Sequence, residues 1–256
     1  MNIVAIHKLG NEKENLAGPL AEALNVSPYD ALMRLRIAGN GPLTVAVFAQ
    51  KEHAVHLTGK LQEAGFAAFF LNSNEIDSEA FPFLVRRFDL GANELRVEND
   101  KGDFLVFLLQ NVDLILCGMR ITRFTSRETV KERTVSPGRA VLSGGLMITK
   151  TTKTTRETIT DERERFISVY AEKTPTKVFR ENALDYTSLG SVRKHSRSEN
   201  FSYLMAEMKK CCPTAIFDNR LMNRAAQAAL LGPLLDPETN LAVSTALLAK
   251  SLLMME

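Results

Sequence analysis

Basic side chains in the second half of the chain are the best candidates for chemistry. Positions 120–165 hold eleven Lys or Arg against six Asp or Glu, whereas positions 1–75 hold six against seven. Between Thr134 and Arg156 there is no acidic residue. Guanidinium and ammonium groups form charge-assisted hydrogen bonds with phosphates, so these residues could bind an anionic lipid headgroup, a phosphorylated partner or nucleic acid. The candidate residues for binding an anionic ligand or a partner are Arg139, Lys150, Lys153, Arg156, Arg193, Lys194 and Arg197.

The composition narrows the choice of ligand. The formal net charge is +2, so no field of the whole molecule selects nucleic acid or a membrane. Proteins that bind single strands stack the bases on aromatic side chains, but this chain has no Trp and its basic segment holds only Phe124. Nucleic acid is therefore disfavoured, and binding to a membrane surface stays an alternative. A solvated loop and ribbon without any ligand is a further alternative.

Patterns typical of catalytic and metal sites are missing from the sequence. His53 and His56 stand three positions apart on a predicted helix. A zinc site needs three or more ligands, and no carboxylate or cysteine motif completes this pair. Neither the Gly-x4-Gly-Lys-Ser/Thr loop nor the Gly-x-Ser-x-Gly elbow occurs. Glu162 and Glu164 alternate with arginines, which indicates a solvated strand face. We assign no catalytic residue, no metal and no cofactor, and an enzyme whose site is assembled only by folding stays an alternative.

Cysteine usage and the two termini predict a cytoplasmic protein. Cys117, Cys211 and Cys212 are too few, and odd in number, for a disulfide framework, which indicates reduced thiols. The N-terminus lacks the pattern of a signal peptide. The apolar stretch from Leu241 to Met254 is interrupted by Lys250 and is too short to span a membrane. It should pack on its own domain or form a homodimer, with a partner's groove as the alternative.

The first 75 residues predict the order β-α-α-β-α-β. Strands are expected at Asn2–His7, Thr44–Phe48 and Phe66–Leu71, which are short and apolar. Ser27-Pro28 gives the start of the second helix, because serine caps a helix and proline suits its first turn. Gly39 and Gly65 supply the helix ends. Three strands and three helices in this order require one sheet with helices on one face.

This part of the chain resembles the C-terminal domain of the ribosomal stalk protein. The likeness rests on the element order and on the phrase from Lys60 to Phe66 that leads into the last strand. The same plan is similar to that of the Clp protease adaptor. The stalk domain's lysine-rich helix is not reproduced, since Leu16–Asn25 contains no lysine. The resemblance implies a binding module, and it transfers no site residue.

The remaining residues, 76–256, predict a strand-rich second domain. Short strands are expected within 84–90, 94–97, 104–109, 112–117, 166–170 and 176–180. A basic insertion at about 121–164 interrupts them, and its Thr149–Thr160 tract could be an exposed β-ribbon or a mobile loop. Helices follow at about 197–256. The series resembles a bacterial pleckstrin-homology-type domain over residues 83–212, which implies an antiparallel β-barrel closed by a helix.

The sequence therefore predicts an α+β protein of two modules, whose arrangement resembles that of bacterial proteins without an assigned activity. The leading hypothesis is a non-catalytic interaction or regulatory protein that presents docking surfaces to a protein partner. The first alternative is binding of an anionic ligand through the basic residues. The second is an enzyme with a site that the sequence does not reveal.

Overall fold

The computed structural model describes residues 1–7, 9, 12–39, 41–135, 149–171 and 174–254, with only the backbone of residues 78–80, 125–135 and 149–159. It confirms a mixed α+β protein. The chain divides into two compact units. Unit 1 comprises Met1–Arg120 and Glu164–Glu256, and unit 2 comprises Ile121–Arg163. The domain boundary at residue 75 stays a prediction.

The first elements of unit 1 follow the order β-α-α-β-α-β. They form a three-stranded sheet in the order β2-β1-β3, with β1 antiparallel to both neighbours. The three helices pack on one face of this sheet, around Val4, Ile6 and Leu20. The elements are β1 (Asn2–Ile6), α1 (Lys13–Leu24), α2 (Pro28–Ala38), β2 (Leu43–Phe48), α3 (Lys51–Glu63) and β3 (Ala68–Leu71).

Local signals place the helix ends of this region. The Ser27 hydroxyl accepts a hydrogen bond from the Asp30 amide at 3.1 Å, which satisfies one of the free amides at the start of α2. Gly39 and Gly65 have φ of +64° and +85° at the ends of α2 and α3, a conformation that a side chain disfavours. Ala31 and Leu35 are the buried residues of α2. Capping and spacing thus set where these helices begin and end.

The other face of the first sheet is covered by helices from the end of the chain. The further α-helices of the described ranges are α4 (Ser73–Ala80), α5 (Arg197–Cys211), α6 (Arg224–Leu231) and α7 (Leu241–Leu253). Ile3 and Leu71 of the sheet share a buried cluster with Val243 and Leu247 of α7. The apolar side of the terminal helix is therefore buried within its own chain.

One buried hydrogen bond joins the first sheet to α6, and its loss should be measurable. The hydroxyl of Thr44, which is fully buried, donates to the Leu230 carbonyl at 2.9 Å. Thr44→Val should lower the free energy of unfolding by about 1–2 kcal/mol, because that carbonyl then stays buried without its partner. Urea unfolding measures the change. Thr58→Val is the control, because the Thr58 hydroxyl bonds the Ala54 carbonyl one helical turn back. An equal loss in both variants would contradict the prediction.

The strands after residue 80 form two further sheets. Strands β5, β6 and β7 make an antiparallel meander, and a five-stranded sheet has the order β11-β8-β9-β10-β4. The strands are β4 (Phe83–Val85), β5 (Arg87–Leu90), β6 (Glu94–Glu98), β7 (Phe104–Leu108), β8 (Val112–Val135), β9 (Thr149–Ala171), β10 (Lys177–Arg180) and β11 (Ile216–Asp218).

The prediction of an antiparallel β-barrel is wrong, since no sheet of the described chain closes into a barrel. Strands β4 and β11 are the two end strands of the five-stranded sheet, and each pairs in parallel with its one neighbour, β10 and β8 respectively. The meander therefore stays a separate sheet with ends of its own. Parallel pairing joins strands that are distant in sequence, so no turn between them marks it in the sequence. The series of short strands therefore suggested a closed barrel.

The core of this region lies among the meander, strands β8 to β10 and α5. The Phe88 ring of β5 packs edge-on against Phe179 and Tyr186, with centroids 6.3 Å apart in both pairs. Phe201 of α5 is buried in the same cluster. The predicted capping box of α5 is present, with Ser196 and Glu199 bonding each other's backbone amides.

Unit 2 contains the far ends of β8 and β9, and the backbone of Thr149–Thr160 is a strand. Of the two structures left open for this tract, the β-ribbon is the one observed. Threonine-rich sequence explains the result, because β-branched side chains favour extended backbone. Arg123 and Asp161 form an ion pair at 3.2 Å within the unit.

Candidate functional site

The last strand of the meander presents an exposed apolar stripe. Phe104, Val106 and Leu108 of β7 are 61%, 49% and 42% exposed. Phe107, which points to the other side, is buried in the core. Alternate residues of a strand face opposite ways, so β7 has one face in the core and one apolar face in solvent. We call residues 104–108 and their unpaired side the β7 edge.

The backbone amides and carbonyls of the same three residues point away from β6, to the unpaired side of β7. The Asn99 amide donates to the Asp103 carbonyl at 3.0 Å, and the Leu109 amide donates to the Asn93 carbonyl at 2.9 Å. These two contacts lie at opposite ends of the β6–β7 ladder and share its register. Hydrogen-bonded and non-bonded pairs alternate in an antiparallel ladder. The amides and carbonyls of residues 104, 106 and 108 therefore face the open side.

The turn before β7 determines which residues face outward. The Asn99 side chain accepts hydrogen bonds from the Lys101 and Asp103 amides, both at 2.9 Å. Gly102 has φ of +86°, which a glycine adopts at little cost. This turn aligns Glu98 with Phe104 across the ladder. A shift of register by one residue would place Phe107 in solvent and Val106 in the core.

A row of charged side chains borders the stripe on its paired side. Glu94, Arg96 and Glu98 of β6 stand opposite Leu108, Val106 and Phe104. The Arg96 guanidinium lies 5.1 Å from the centroid of the Phe104 ring, a cation–π contact. Both signs of charge are present in the row, so electrostatics do not favour a strongly acidic or basic ligand. The stripe itself selects apolar side chains.

The β7 edge lacks the protection that sheet edges usually have. Natural edges carry charges or proline, or are very short. At the other end of the meander, β5 carries Arg87 and Asp89, and the end strands β4 and β11 of the larger sheet have three residues each. Residues 104–109 hold six apolar side chains in a row with no charge. Within the described ranges, β6 is the only strand that pairs with β7.

The predicted basic residues fall into two groups. Arg139 lies outside the described residues, and Lys150, Lys153 and Arg156 lie on β9 with side chains that the structure does not describe. Arg193, Lys194 and Arg197 are exposed and lie around the start of α5. The structure therefore places the second group together in one loop and leaves the grouping of the first a prediction.

The loop of the second group has a fixed backbone. The side chain of Asn200, which is buried, accepts from the Lys194 amide at 2.6 Å and donates to the Lys194 carbonyl at 3.0 Å and to the Ser196 carbonyl at 2.8 Å. The Arg197 guanidinium donates to the Asn182 carbonyl at 3.4 Å. These bonds hold the basic loop, residues 193–197, in one shape while its side chains stay in solvent.

Part of the charge run that the sequence assigned to a solvated strand face belongs to a partly buried network. Glu164 is buried and accepts from the Arg180 guanidinium at 2.9 Å. Arg165 donates to Glu181 at 2.9 Å and to the Ser202 hydroxyl at 2.9 Å. The hydrogen bond from Arg165 holds the pKa of Glu181 below its ordinary value. Only Glu162 and Arg163 of the run are exposed.

Two of the three thiols and the histidine pair are poorly placed to act as nucleophiles or metal ligands. Burial raises the pKa of Cys117 to about 12 and that of Cys212 to about 11, so both thiols stay protonated at neutral pH. His53 and His56 are exposed on α3. Among the residues that the structure describes, no three His, Cys, Asp or Glu side chains are grouped to hold a metal ion.

Comparison with known proteins gives no family for this chain. No protein-family model, no curated protein and no solved structure matches it. In the ranges described, no helix is both long and apolar enough to cross a bilayer.

Proposed function

We propose that this protein is a non-catalytic interaction protein that docks an extended strand of protein on its β7 edge. The observation that carries the proposal is the coincidence of two features in Phe104, Val106 and Leu108. Their side chains form an exposed apolar stripe on one face of the sheet, and their backbone amides and carbonyls point to the open edge of the same strand.

Strand addition uses both features at once. An incoming extended segment gains backbone hydrogen bonds along the edge, while its alternate side chains pack against those of the stripe. Covering a large apolar side chain fully is worth about 1.5–3 kcal/mol, and the three side chains of the stripe are each roughly half exposed. Several kcal/mol are thus gained before the cost of association is subtracted. The occupant should have apolar residues at alternate positions.

Anion binding at the basic loop is the second candidate. It is supported by Arg193, Lys194 and Arg197, which are exposed on a backbone that Asn200 holds in place. A phosphate-rich ligand would bind there by charge, and its affinity would fall steeply with salt. Docking at the β7 edge should instead depend weakly on salt, because apolar contacts and backbone hydrogen bonds dominate it.

The element order of residues 1–71 also supports the proposed kinship with the stalk protein's C-terminal domain and the Clp adaptor. Three antiparallel strands with α1, α2 and α3 on one face follow the same plan, although helices from later in the chain cover the other face. We carry over the expectation of a binding module. Free thiols in the described chain fit the proposed cytoplasmic location.

Selection of peptides against the full chain tests the docking proposal. A display library of random nine-residue peptides is panned on the protein, and the bound sequences should carry apolar residues at alternate positions. Val106→Pro should weaken these peptides about 10-fold or more, since proline removes an amide that faces the open edge and spares the ladder to β6.

Matched variants separate docking at the β7 edge from non-specific hydrophobic binding. Val106→Lys should also abolish peptide binding, whereas Leu84→Lys, at an exposed apolar position of β4, should leave it unchanged. Replacing Arg193, Lys194 and Arg197 by Gln should have no effect on the peptides. Selected peptides that lack the alternation, or that bind Val106→Pro as well as the natural chain, would refute docking by strand addition.

A further inference from the structure

We infer that the strand that occupies the β7 edge is β7 of a second copy of this chain. The inference rests on the proposed function, because it requires that this edge accepts an extended strand. It adds the identity of the partner and a register. Two copies would pair their β7 strands antiparallel about a twofold axis at Val106.

Backbone geometry allows this pairing without a shift. In an antiparallel pair centred on Val106, Val106 stands opposite its own copy and Phe104 stands opposite Leu108. All three residues turn their amides and carbonyls to the open side, as deduced from the Asn99 and Leu109 contacts. The pairs that these three residues form between the copies can thus all exchange hydrogen bonds. The two meanders become one six-stranded sheet.

The side chains are symmetrical about the same point. The stripe has a large residue, then Val106, then a large residue, so each Phe104 ring meets a Leu108 side chain and the smaller valines meet at the axis. Asp103 is the one charged residue within 102–110, and it stands opposite Leu109 in this register. No like charges face each other. A strand from an unrelated protein would not require a large apolar residue on each side of Val106.

Self-pairing also explains why the edge can do without charges. An exposed apolar edge is a template for aggregation unless something covers it. Pairing β7 with β7 is isologous, so each copy uses its edge once and the assembly closes as a dimer. The opposite end strand of the meander, β5, carries Arg87 and Asp89, so the six-stranded sheet does not extend further.

Sedimentation of the full chain over a wide concentration range is the first measurement. The natural chain should show a reversible monomer–dimer equilibrium that depends weakly on salt. Val106→Pro and Val106→Lys should each raise the dimer dissociation constant at least about 100-fold, since one removes a hydrogen bond at the axis and the other sets two ammonium groups against each other. Leu84→Lys, the matched control, should leave it unchanged.

A charge-exchange pair tests the register and guards against unfolding. One variant carries Phe104→Lys with Leu108→Lys, and the other carries Phe104→Glu with Leu108→Glu. Each alone places like charges opposite each other and should be monomeric. An equimolar mixture places Lys against Glu at both positions and should recover the dimer, which only folded chains can do.

The outcomes distinguish the inference from the function on which it rests. A natural chain that stays monomeric at high concentration, while selected peptides still lose affinity for Val106→Pro, refutes self-pairing and retains docking. A dimer that persists in both Val106 variants, or a mixture that stays monomeric, also refutes self-pairing. Loss of the dimer in the Val106 variants with recovery in the mixture supports it.

Discussion

Replacing Lys177 by methionine should raise the free energy of unfolding at pH 7 by about 3 kcal/mol. Lys177 lies on β10 and is fully buried, with its Nζ 4.4 Å from the centroid of the Phe107 ring and hydrogen-bonded to the Thr174 hydroxyl. Burial lowers the pKa of Lys177 from 10.5 to about 8. Lowering a pKa by one corresponds to about 1.4 kcal/mol of preference for the neutral amine. Methionine has a similar length and carries no charge to bury.

The same residue should make stability rise with pH. Between about pH 8 and 10.5 the Lys177 amine is mostly neutral in the folded chain and still protonated in the unfolded chain. The unfolded chain then binds more protons, so the free energy of unfolding increases through this window. Below about pH 8 both states are protonated and the burial cost is present in full.

Urea unfolding at several pH values from 7 to about 10.5 checks both effects. The natural chain should gain stability across the window, and Lys177→Met should lack the part of this gain that Lys177 causes. Lys101→Met, at an exposed turn position, is the control and should follow the natural chain. If Lys177→Met and the natural chain show the same pH dependence, the burial of a charged amine is not the cause.

Gly118→Ala should lower the free energy of unfolding by about 3 kcal/mol, the upper part of the usual range for overpacking. A Cβ at Gly118 would lie 3.0 Å from the Leu221 Cβ, and closer still to the ring of Phe166. Both neighbours belong to a buried cluster with Leu114 and Leu248, so the ring has little room to move. Glycine here lets an aromatic ring lie directly over the backbone of β8.

Two further variants test that cause for Gly118. Gly59→Ala, on α3, meets no described atom within 4 Å and should be neutral or stabilising by up to about 1 kcal/mol, since alanine is the better helix former. Combining Gly118→Ala with Phe166→Leu should cost less than the sum of the two single changes, because the smaller side chain relieves the contact. Additive losses measured by urea unfolding would refute the steric explanation.

Much of the local structure could be predicted because its causes lie within a few residues. Ser27 and Ser196 cap helices through amides three positions away, and Gly65 ends one through its own φ. The sequence does not predict helix α4 or strand β11. Strand β11 has three residues, too few for a visible period, and it forms only because β8 offers a parallel partner.

The candidate site could be predicted only in part. A strand over residues 104–109 was expected, but an uninterrupted apolar run does not reveal which alternate residues reach solvent. The absence of charge from that run, beside the charged strands β5 and β6, is the one sequence signal that could have pointed to the edge. The exposure of Arg193, Lys194 and Arg197 followed from their type, since basic side chains are rarely buried.

The sequence by itself determined the α+β class, the helix caps and most of the strands, because periodicity, capping and turn chemistry act over short stretches of chain. Only the tertiary structure decided that β7 is an edge strand, that Phe107 faces the core while Val106 faces solvent, and that Lys177 lies under the Phe107 ring. Those features depend on the register of strands and on contacts between distant residues. A run of similar apolar residues such as 104–109 does not determine the register of its strand or its distant contacts, which are settled only when the sheets pack together.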